Sequence, residues 1–267
     1  MLLLLGCKWR EALNHAINEK TLNDGKYGGL KGRDCTQVTL LEELRLDYLL
    51  LTRTPFGNFD NDATACYDRI LAALSSLASQ KYGVRPQVVF VHAATLEEAV
   101  YKLKLSTKVS EEGYKHCTVF PIAGNGQGSS NSPQVWIFIS CVLFDVHESK
   151  AYMMKMVSPD KTLTVKLNMV GFVDDATTIT GGDPSASVEK LLERIQHDAQ
   201  LWYELLWLSG GNLELEKCGY HCIFYKFDDN DQPVMQRDVE GSIKLTTTNG
   251  TIVPIRQKKI YLHLRKT

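Results

Sequence analysis

Two adjacent aspartates, Asp174 and Asp175, constrain the fold of this chain more than any other stretch of it. The run 167–171 before them and the run 176–180 after them are both rich in β-branched and apolar residues. This pattern predicts a strand, a tight turn and a second strand, with both carboxylates at the turn. Like charges repel at such a tip unless a cation is present, and hard divalent cations prefer oxygen ligands. The pair therefore indicates either a cation site or two solvated aspartates on an ordinary turn.

The composition limits the class of protein. Of the 267 residues, 44% are hydrophobic and 23% are charged, as in ordinary globular proteins. The formal net charge is −1, so nucleic-acid contacts must come from local patches such as the basic run 256–266. No stretch approaches the roughly 18 apolar residues of a membrane span, and the apolar run 1–5 is too short for a signal peptide. We expect an intracellular protein without membrane contact, either cytoplasmic or nuclear.

The seven cysteines are scattered, and their odd number argues against a disulfide framework and for a reducing compartment. Cys218, His221 and Cys222 have the spacing of half a zinc site, which His116 and Cys117 would have to complete. The sequence favours buried strand cysteines over zinc.

Hydrophobic periodicity predicts a mixture of helices and strands. Helices are expected over 8–20, 38–52, 65–81 and 95–104, from about 132, and over about 25 residues that begin near 184. Strands are expected over 59–64 and 114–122, on both sides of the aspartate pair, over 219–227 and within 251–264. Few β-α-β repeats occur, so the pattern predicts an α+β fold in which helices pack on one face of an antiparallel sheet.

Some side chains in these helices have specific expectations. Ile70, Leu71, Leu74 and Leu77 are expected to face inward from a single long helix. The helix over 38–52 is suggested by Leu40, Leu41, Leu44, Tyr48 and Leu51. Thr95, followed by Glu98, has the pattern of a capping box and predicts a helix start.

Asp62 is the candidate partner of the aspartate pair, because it ends the first predicted strand. If that strand lies beside the hairpin, Asp62 and Asp174 converge on the same cations. Such a cluster suits displacement at phosphorus, where one metal ion activates a hydroxyl and another stabilises the leaving pyrophosphate. The nearby Asp60 is interpreted as a solvated turn residue, and Asp68 as a brace for the following helix.

Four segments, in the order of the family's motifs, resemble those of reverse transcriptases. The segment 62–68 resembles the first palm motif, an aspartate followed by an aromatic-Asp pair, and 124–133 resembles the second, a Gln-Gly followed by Ser-Pro. The segment 172–175 is similar to the third motif, aromatic-x-Asp-Asp, and 211–218 to the fourth, which contains Leu-x-Leu and a lysine. Upstream, 26–33 looks like the fingers motif of the non-LTR retrotransposon and group II intron type. The resemblance covers nearly the whole chain.

The resemblance implies a polymerase palm with partial helical fingers. Its expected boundaries are partial fingers over 1–56, the palm over 57–227 and a C-terminal hairpin region over 228–267 that leads toward the primer grip. The implied reaction is RNA-directed DNA synthesis, in which deoxynucleoside triphosphates extend a DNA primer on an RNA template. The implied cofactor is Mg²⁺, with Mn²⁺ as a substitute.

Residue roles follow from the match to the motifs. Asp62, Asp174 and Asp175 would be the metal ligands and catalytic carboxylates. Lys217 would donate a proton to the leaving pyrophosphate, although a lysine after a helix is often simply solvated.

Four further residues would bind substrate. Tyr67 stands where the family has an aromatic gate against the sugar 2′-hydroxyl, or is a core tyrosine. Gln127 and Gly128 would line the template and nucleotide pocket, or belong to a plain glycine loop. Arg33 would grip triphosphate or template, or be a surface residue of a basic turn.

The chain also departs from the family. Lys26 stands where glutamine is common, and Leu30 where a basic residue is usual. The fingers are expected to be incomplete and the thumb absent, so the alternative function is an inactive truncated relic that at most binds nucleic acid. An RNA-dependent RNA polymerase is a third interpretation, against which Tyr67 argues, and a nucleotide cyclase is a remote fourth.

Overall fold

The structure, a computed structural model, describes residues 2–64, 66–117, 124–125, 129–183 and 187–258. Its helices are α1 Leu2–Asn18, α2 Cys35–Thr52, α3 Cys66–Arg69, α4 Ala72–Lys81, α5 Pro86–Glu97, α6 Ser132–Glu148 and α7 Val188–Leu208. Within those described ranges, no helix has the length and apolar character that a membrane crossing requires.

The strands lie mostly in the second half of the chain. They are β1 Phe56–Asn61, β2 Val100–Tyr101, β3 Lys104–Leu105, β4 Lys108–Val109, β5 Tyr114–Lys115, β6 Met154–Val157, β7 Thr164–Leu167, β8 Met169–Phe172, β9 Asp175–Gly181, β10 Gly219–Phe227, β11 Pro233–Gln236, β12 Lys244–Thr246, β13 Ile252–Pro254 and β14 Arg256–Gln257.

The chain divides into two compact units. The first comprises 1–23, 65–142 and 208–212, and the second comprises 24–64, 143–207 and 213–267. The predicted boundaries of fingers, palm and C-terminal region stay a prediction.

The main sheet belongs to the second unit and has the strand order β11-β10-β1-β9-β8. All neighbours along this order pair antiparallel, and β14 adds a short parallel pairing with β10. The central strand β1 pairs with β10 on one side and with β9 on the other. The predicted α+β fold with an antiparallel sheet is confirmed.

One face of β1 lies against α7. A Cβ atom added to Gly57 would collide with the side chain of Ile195, so glycine allows the helix to approach closely. At the end of the strand, Trp202 Nε1 donates a hydrogen bond of 2.9 Å to Asn61 Oδ1. Helix α7 therefore fixes the end of β1, just before Asp62.

The other face of β1 lies against α2, so helix packing extends to both faces of the sheet. The buried Arg45 Nη1 donates to Asn58 Oδ1 at 2.7 Å, and its guanidinium lies 5.4 Å from the Phe56 ring centroid. Leu49 and Phe56 belong to the same buried core cluster. The predicted helix at 38–52 is confirmed. Of the residues that suggested it, Leu41 and Tyr48 pack against the core cluster, whereas Leu40, Leu44 and Leu51 are exposed.

A buried polar network joins α7 to β9. The fully buried Asp198 accepts hydrogen bonds from Thr180 Oγ1 at 2.7 Å and from Tyr152 N at 3.0 Å. His147 is also fully buried, and its Nε2 lies 2.9 Å from the Asp198 carbonyl oxygen. Buried polar groups that are hydrogen-bonded in this way hold the helix in one position on the sheet.

The first unit packs α1 against α4 and α5. Trp9 on α1 is buried, donates to Ser79 Oγ at 2.9 Å, and its ring lies 4.9 Å from His92. Burial lowers the pKa of His92 to about 4, so this histidine is neutral at physiological pH. The predicted helix over 8–20 is confirmed and begins earlier, at Leu2.

The single helix expected over 65–81 is wrong, because α3 and α4 are separate helices. Between them, the Ile70 carbonyl accepts from Gly124 N at 2.8 Å and Leu71 N donates to the Ser209 carbonyl at 2.9 Å. These tertiary hydrogen bonds replace helical ones. Ile70 is buried as predicted, whereas Leu71 and Leu77 are exposed.

The helix expected over 95–104 is also wrong. Helix α5 begins earlier, with Pro86 in its first turn, where a proline loses no hydrogen bond. Thr95 lies in the last turn of α5 and donates to the Val91 carbonyl at 2.7 Å, so it caps no helix start. Glu98 instead forms an ion pair of 2.7 Å with Lys115. Of the strand expected over 114–122, β5 covers the beginning, and 118–122 lie outside the described residues.

Candidate active site

The aspartate pair lies at the tip of the β8–β9 hairpin, as the apolar flanks predict. Phe172 pairs with Asp175, so Val173 and Asp174 form a two-residue loop. Val173 has φ +58, a left-handed conformation that glycine normally adopts at the first position of a type II′ hairpin turn. For a β-branched residue this conformation is strained by about 1–3 kcal/mol. The surrounding structure must therefore hold the loop.

Asp62 lies beside this loop because β1 and β9 are neighbours. Asn61 pairs with Ala176 in an antiparallel register. Asp62, the residue after Asn61, therefore lies next to Asp175, the residue before Ala176. The Asp62 carbonyl accepts from Glu214 N at 2.9 Å, which fixes the backbone just after β1. The condition that this strand lies beside the hairpin is therefore met.

Lys217 reaches Asp62 from the segment after α7. Its Nζ lies 3.1 Å from Asp62 Oδ2, and the Lys217 side chain is 65% exposed. The hydrogen bond to Asp62, followed by the charge of that carboxylate, raises the pKa of Lys217. The lysine therefore stays protonated at neutral pH and carries a proton beside the carboxylates.

The carboxylates affect one another electrostatically. Partial burial raises the pKa of the Asp175 carboxyl, and the negative charges of Asp174 and Asp62 raise it further. The Lys26 ammonium acts in the opposite direction. The Asp174 side chain itself is exposed at the tip of the hairpin.

The three carboxylates have the donor chemistry of a magnesium site, since they supply oxygen ligands whose mutual repulsion a divalent cation would relieve. Their present spacing is wider than a metal site requires. Over the ranges that the structure describes, no group of three or more His, Cys, Asp and Glu is near enough to hold a metal ion. The residue types fit, and binding would require the side chains to close on the ion.

The two cysteines of the candidate zinc site are buried within the second unit. Cys218 and Cys222 are free thiols with almost no exposed surface. Burial raises the pKa of both, that of Cys222 to about 12, so neither is a ready thiolate ligand. This agrees with the interpretation as buried strand cysteines.

Sequence reasoning missed the segment beneath the aspartate loop. Tyr27 N donates to the Gly171 carbonyl at 2.9 Å, and Gly171 N donates to the Gly25 carbonyl at 2.8 Å. A Cβ atom on Gly28 would lie only 2.9 Å from the Val173 Cα atom. Lys26 lies between these contacts, with its Nζ donating to the Val173 carbonyl. The signal in the sequence was the lysine at a position where the resembling family commonly has glutamine.

Arg33 closes the loop that contains Lys26. Its Nη1 donates to the carbonyls of Asp24 and Lys26, both at 3.1 Å. The guanidinium also lies 4.9 Å from the Tyr27 ring centroid. Arg33 thus stabilises the loop conformation, and its predicted contact with triphosphate or template stays a prediction.

Tyr67 belongs to the first unit and lies on α3, half-buried, with its ring 6.0 Å from that of Trp136. Its carbonyl accepts from Asn125 N at 2.9 Å, and the Asn125 carbonyl accepts from Ser132 Oγ at 2.9 Å. These bonds hold the flanks of the glycine-rich segment. Gln127 and Gly128, the two residues of that segment predicted to bind substrate, lie outside the described residues.

Asp60 is not the solvated turn residue that the sequence suggested. It lies on β1, where its carboxylate accepts from Thr177 Oγ1 at 3.1 Å. Lys258 Nζ and His221 Nδ1 lie 3.5 Å and 3.7 Å from its Oδ2. Asp60 therefore joins β9, β10 and the segment after β14 across β1.

No protein-family model matches the chain, and neither does any curated protein. Solved structures do match. With telomerase from Candida tropicalis, in complex with the TWJ fragment of telomeric RNA, the TM-score is 0.54 at 13% identity, over 81% of this chain and 33% of that chain. With telomerase from Candida albicans, also with that RNA fragment, it is 0.54 at 13% identity, over 91% and 36%. With apo Candida tropicalis telomerase truncated from its C-terminal domain, it is 0.50 at 13% identity, over 89% and 45%.

This chain thus spans less than half of the telomerase chains that it matches. At such low identity the similarity concerns the fold alone. Telomerase is a reverse transcriptase, and the strands that carry Asp62 and the aspartate pair form the sheet described above. The chain therefore has a reverse-transcriptase-like fold.

Proposed function

We propose that this chain is the RNA-directed DNA polymerase domain of a retroelement, of the non-LTR retrotransposon and group II intron type. The observation that carries the proposal is the position of Asp62 beside the Asp174–Asp175 loop, with Lys217 3.1 Å from Asp62, in a reverse-transcriptase-like fold. The order of the sequence motifs supports the retroelement type. The telomerases were solved with telomeric RNA, which supports RNA as a partner.

In this proposal, Asp62, Asp174 and Asp175 hold magnesium, for which manganese is a substitute. When bound, the ions would supply the positive charge that activates the primer 3′-hydroxyl and stabilises the leaving pyrophosphate. Lys217 supplies the proton to that pyrophosphate. Its raised pKa keeps it protonated until the reaction requires the proton.

The other proposed roles concern selection of the substrate. Tyr67 would exclude ribonucleotides by contact with the 2′-hydroxyl, and Gln127 with Gly128 would line the nucleotide pocket. Arg33, whose guanidinium holds the loop around Lys26, would reach triphosphate or template only if it exchanged its bonds to backbone carbonyls.

Primer extension on an RNA template with Mg²⁺ tests the catalytic assignment. We expect Asp62→Asn and Asp174→Asn each to reduce deoxynucleotide incorporation by about a hundredfold or more, because each removes a metal ligand. Asp229→Asn is the matched control, since Asp229 lies on the exposed β10–β11 turn. Incorporation that persists in Asp174→Asn at the wild-type rate would rule out the metal assignment.

The alternative is a relic that binds nucleic acid without polymerising. It is favoured by the spacing of the carboxylates, which form no close metal-binding group within the described residues. It predicts salt-sensitive binding to an RNA–DNA duplex, detected by gel shift, with no incorporation in the same preparation. A preference for ribonucleotides would instead support the RNA polymerase interpretation.

A further inference from the structure

Lys26 is a charged residue in the interior of the second unit, only 1% exposed. Its Nζ donates to the carbonyl oxygen of Val173 and lies 5.8 Å from the centroid of the Phe144 ring. An ammonium group is costly to bury unless hydrogen bonds and negative charge surround it. The ammonium is near enough to Asp175 to act on that carboxylate electrostatically. Lys26 therefore belongs to the electrostatics of the hairpin tip.

The loop above Lys26 is strained and closely enclosed. Val173 has φ +58, although it is β-branched. Gly28 packs so tightly on the loop that its missing Cβ atom would lie 2.9 Å from Phe172 C and Val173 Cα. Because the carbonyl that Lys26 binds belongs to the strained residue itself, this hydrogen bond favours the conformation that presents Asp174 and Asp175 side by side.

Lys26 differs in this respect from the other lysine near the carboxylates. Lys217 is mostly exposed, so its ammonium can move into water when a cation approaches Asp62. The Lys26 ammonium is buried and cannot leave without breaking the packing of the loop. The Lys26 side chain therefore stays beneath the loop whether or not a metal ion binds.

We propose that Lys26 is a positioning residue, a fixed internal cation that holds the Asp174–Asp175 loop and weakens the binding of divalent cations to its carboxylates. This rests on the proposed function, because it concerns the carboxylates proposed to hold magnesium. A fixed positive charge orders the carboxylates before a metal ion arrives, and it repels the ion once the ion is there.

Manganese binding in the absence of nucleotide and nucleic acid tests the proposal, with the free aqueous ion measured by electron paramagnetic resonance. Lys26→Gln keeps a hydrogen-bond donor and removes the charge, and we expect it to bind Mn²⁺ at least about threefold more tightly than the wild-type chain. Lys26→Arg should retain the wild-type affinity. The matched control is Lys31→Met, which removes an exposed charge from the same loop.

Adding Asp174→Asn to Lys26→Gln should abolish the gain in affinity, which would assign the ion to this loop. In parallel, Lys26→Met removes both charge and donor, and we expect faster amide exchange of the peptide around Val173 than in Lys31→Met. If Lys26 served only to pack the interior, Lys26→Gln would bind Mn²⁺ as tightly as the wild-type chain or more weakly, and its melting temperature would be lower. That result overturns the proposal.

The same measurements separate this proposal from the proposed function. If neither the wild-type chain nor any variant binds Mn²⁺, the metal assignment of the polymerase fails. The amide exchange then decides the role of Lys26: wild-type exchange around Val173 in Lys26→Met overturns it, and faster exchange sustains its positioning part. If Lys26→Met does not fold, as judged by circular dichroism, the Lys26→Gln comparison carries the test.

Discussion

Two lysines lie next to the proposed catalytic carboxylates, and their surroundings are opposite. Lys217 is 65% exposed and lies 3.1 Å from Asp62. Lys26 is 1% exposed and donates to the Val173 carbonyl beneath the aspartate loop. Lys217 can exchange its partner, as a proton donor must, whereas Lys26 is held in the buried segment beneath the aspartate loop. The site thus combines one side that can rearrange with another that is fixed.

The largest effect on stability should come from a substitution at Gly28, which packs beneath the aspartate loop. Gly28→Ala places a Cβ atom against the backbone of Phe172 and Val173, where no flexible side chain can move away. We expect a loss of about 3 kcal/mol in the free energy of unfolding, measured with urea. The control is Gly32→Ala, which meets open space and should lose only about 1 kcal/mol through its φ of +77. Equal losses in the two variants would contradict the close packing beneath the loop.

A smaller effect on stability should follow from relieving the backbone strain at Val173. Val173→Asn introduces a residue that tolerates positive φ, so we expect the free energy of unfolding to rise by about 1 kcal/mol. Val165→Asn, on the exposed strand β7, should instead lower it slightly, because asparagine is unfavourable in strands. Both are measured by urea unfolding, and a loss of stability in Val173→Asn would argue against a strained loop.

The raised pKa of Asp175 makes the stability of the chain depend on pH. A carboxyl that holds its proton more tightly in the folded state contributes stability at low pH. That contribution is lost as the pH rises above the ordinary value of 3.8 and through the raised pKa. Asp175→Asn should therefore be more stable than the wild-type chain at pH 7, by no more than about 1 kcal/mol for so exposed a group.

The difference between Asp175→Asn and the wild-type chain should shrink toward pH 3 in urea unfolding. Asp229→Asn provides the comparison, since Asp229 lies on the exposed β10–β11 turn and not at the hairpin tip. A less stable Asp175→Asn at pH 7 would reverse the sign of the inferred interaction.

The smallest effect on stability is expected at Lys217, the exposed lysine. Lys217→Met should leave the urea midpoint at pH 7 nearly unchanged, because the ion pair with Asp62 is exposed. A raised lysine pKa means that whatever the pair contributes persists at neutral pH and is lost only above the ordinary value of 10.5. Comparing the two chains at pH 8 and pH 11 should reveal a slight convergence. A large midpoint shift at pH 7 would mean that Lys217 is as fixed as Lys26.

The hairpin and its neighbour were predictable because they depend on local pattern. The apolar runs around Asp174 and Asp175 specify two strands and a tight turn, and Asp62 stands directly after another extended segment. The antiparallel register then places Asp62 next to Asp175 once the two strands are adjacent.

What the sequence failed to predict depends on contacts between distant segments. The break between α3 and α4 arises where Leu71 bonds to Ser209, and periodicity carries no information about such a partner. In the helix over Cys35–Thr52, only some of the apolar residues that suggested it meet the core, because spacing alone does not say which face of a helix meets the sheet. The burial of Lys26 was missed for the same reason, since a lysine in a glycine-rich loop is normally solvated.

The pairing of β1 has a consequence for how the chain folds. Its neighbours β9 and β10 come from far later in the sequence, and Thr64, just after β1, bonds to Glu214 across a separation of 150 residues. Contacts this distant along the chain form slowly, because long loops must close first. During synthesis, Asp62 leaves the ribosome long before the segments that fix it exist. Fragments that end before β10 should therefore contain the aspartates but lack the centre they are proposed to form.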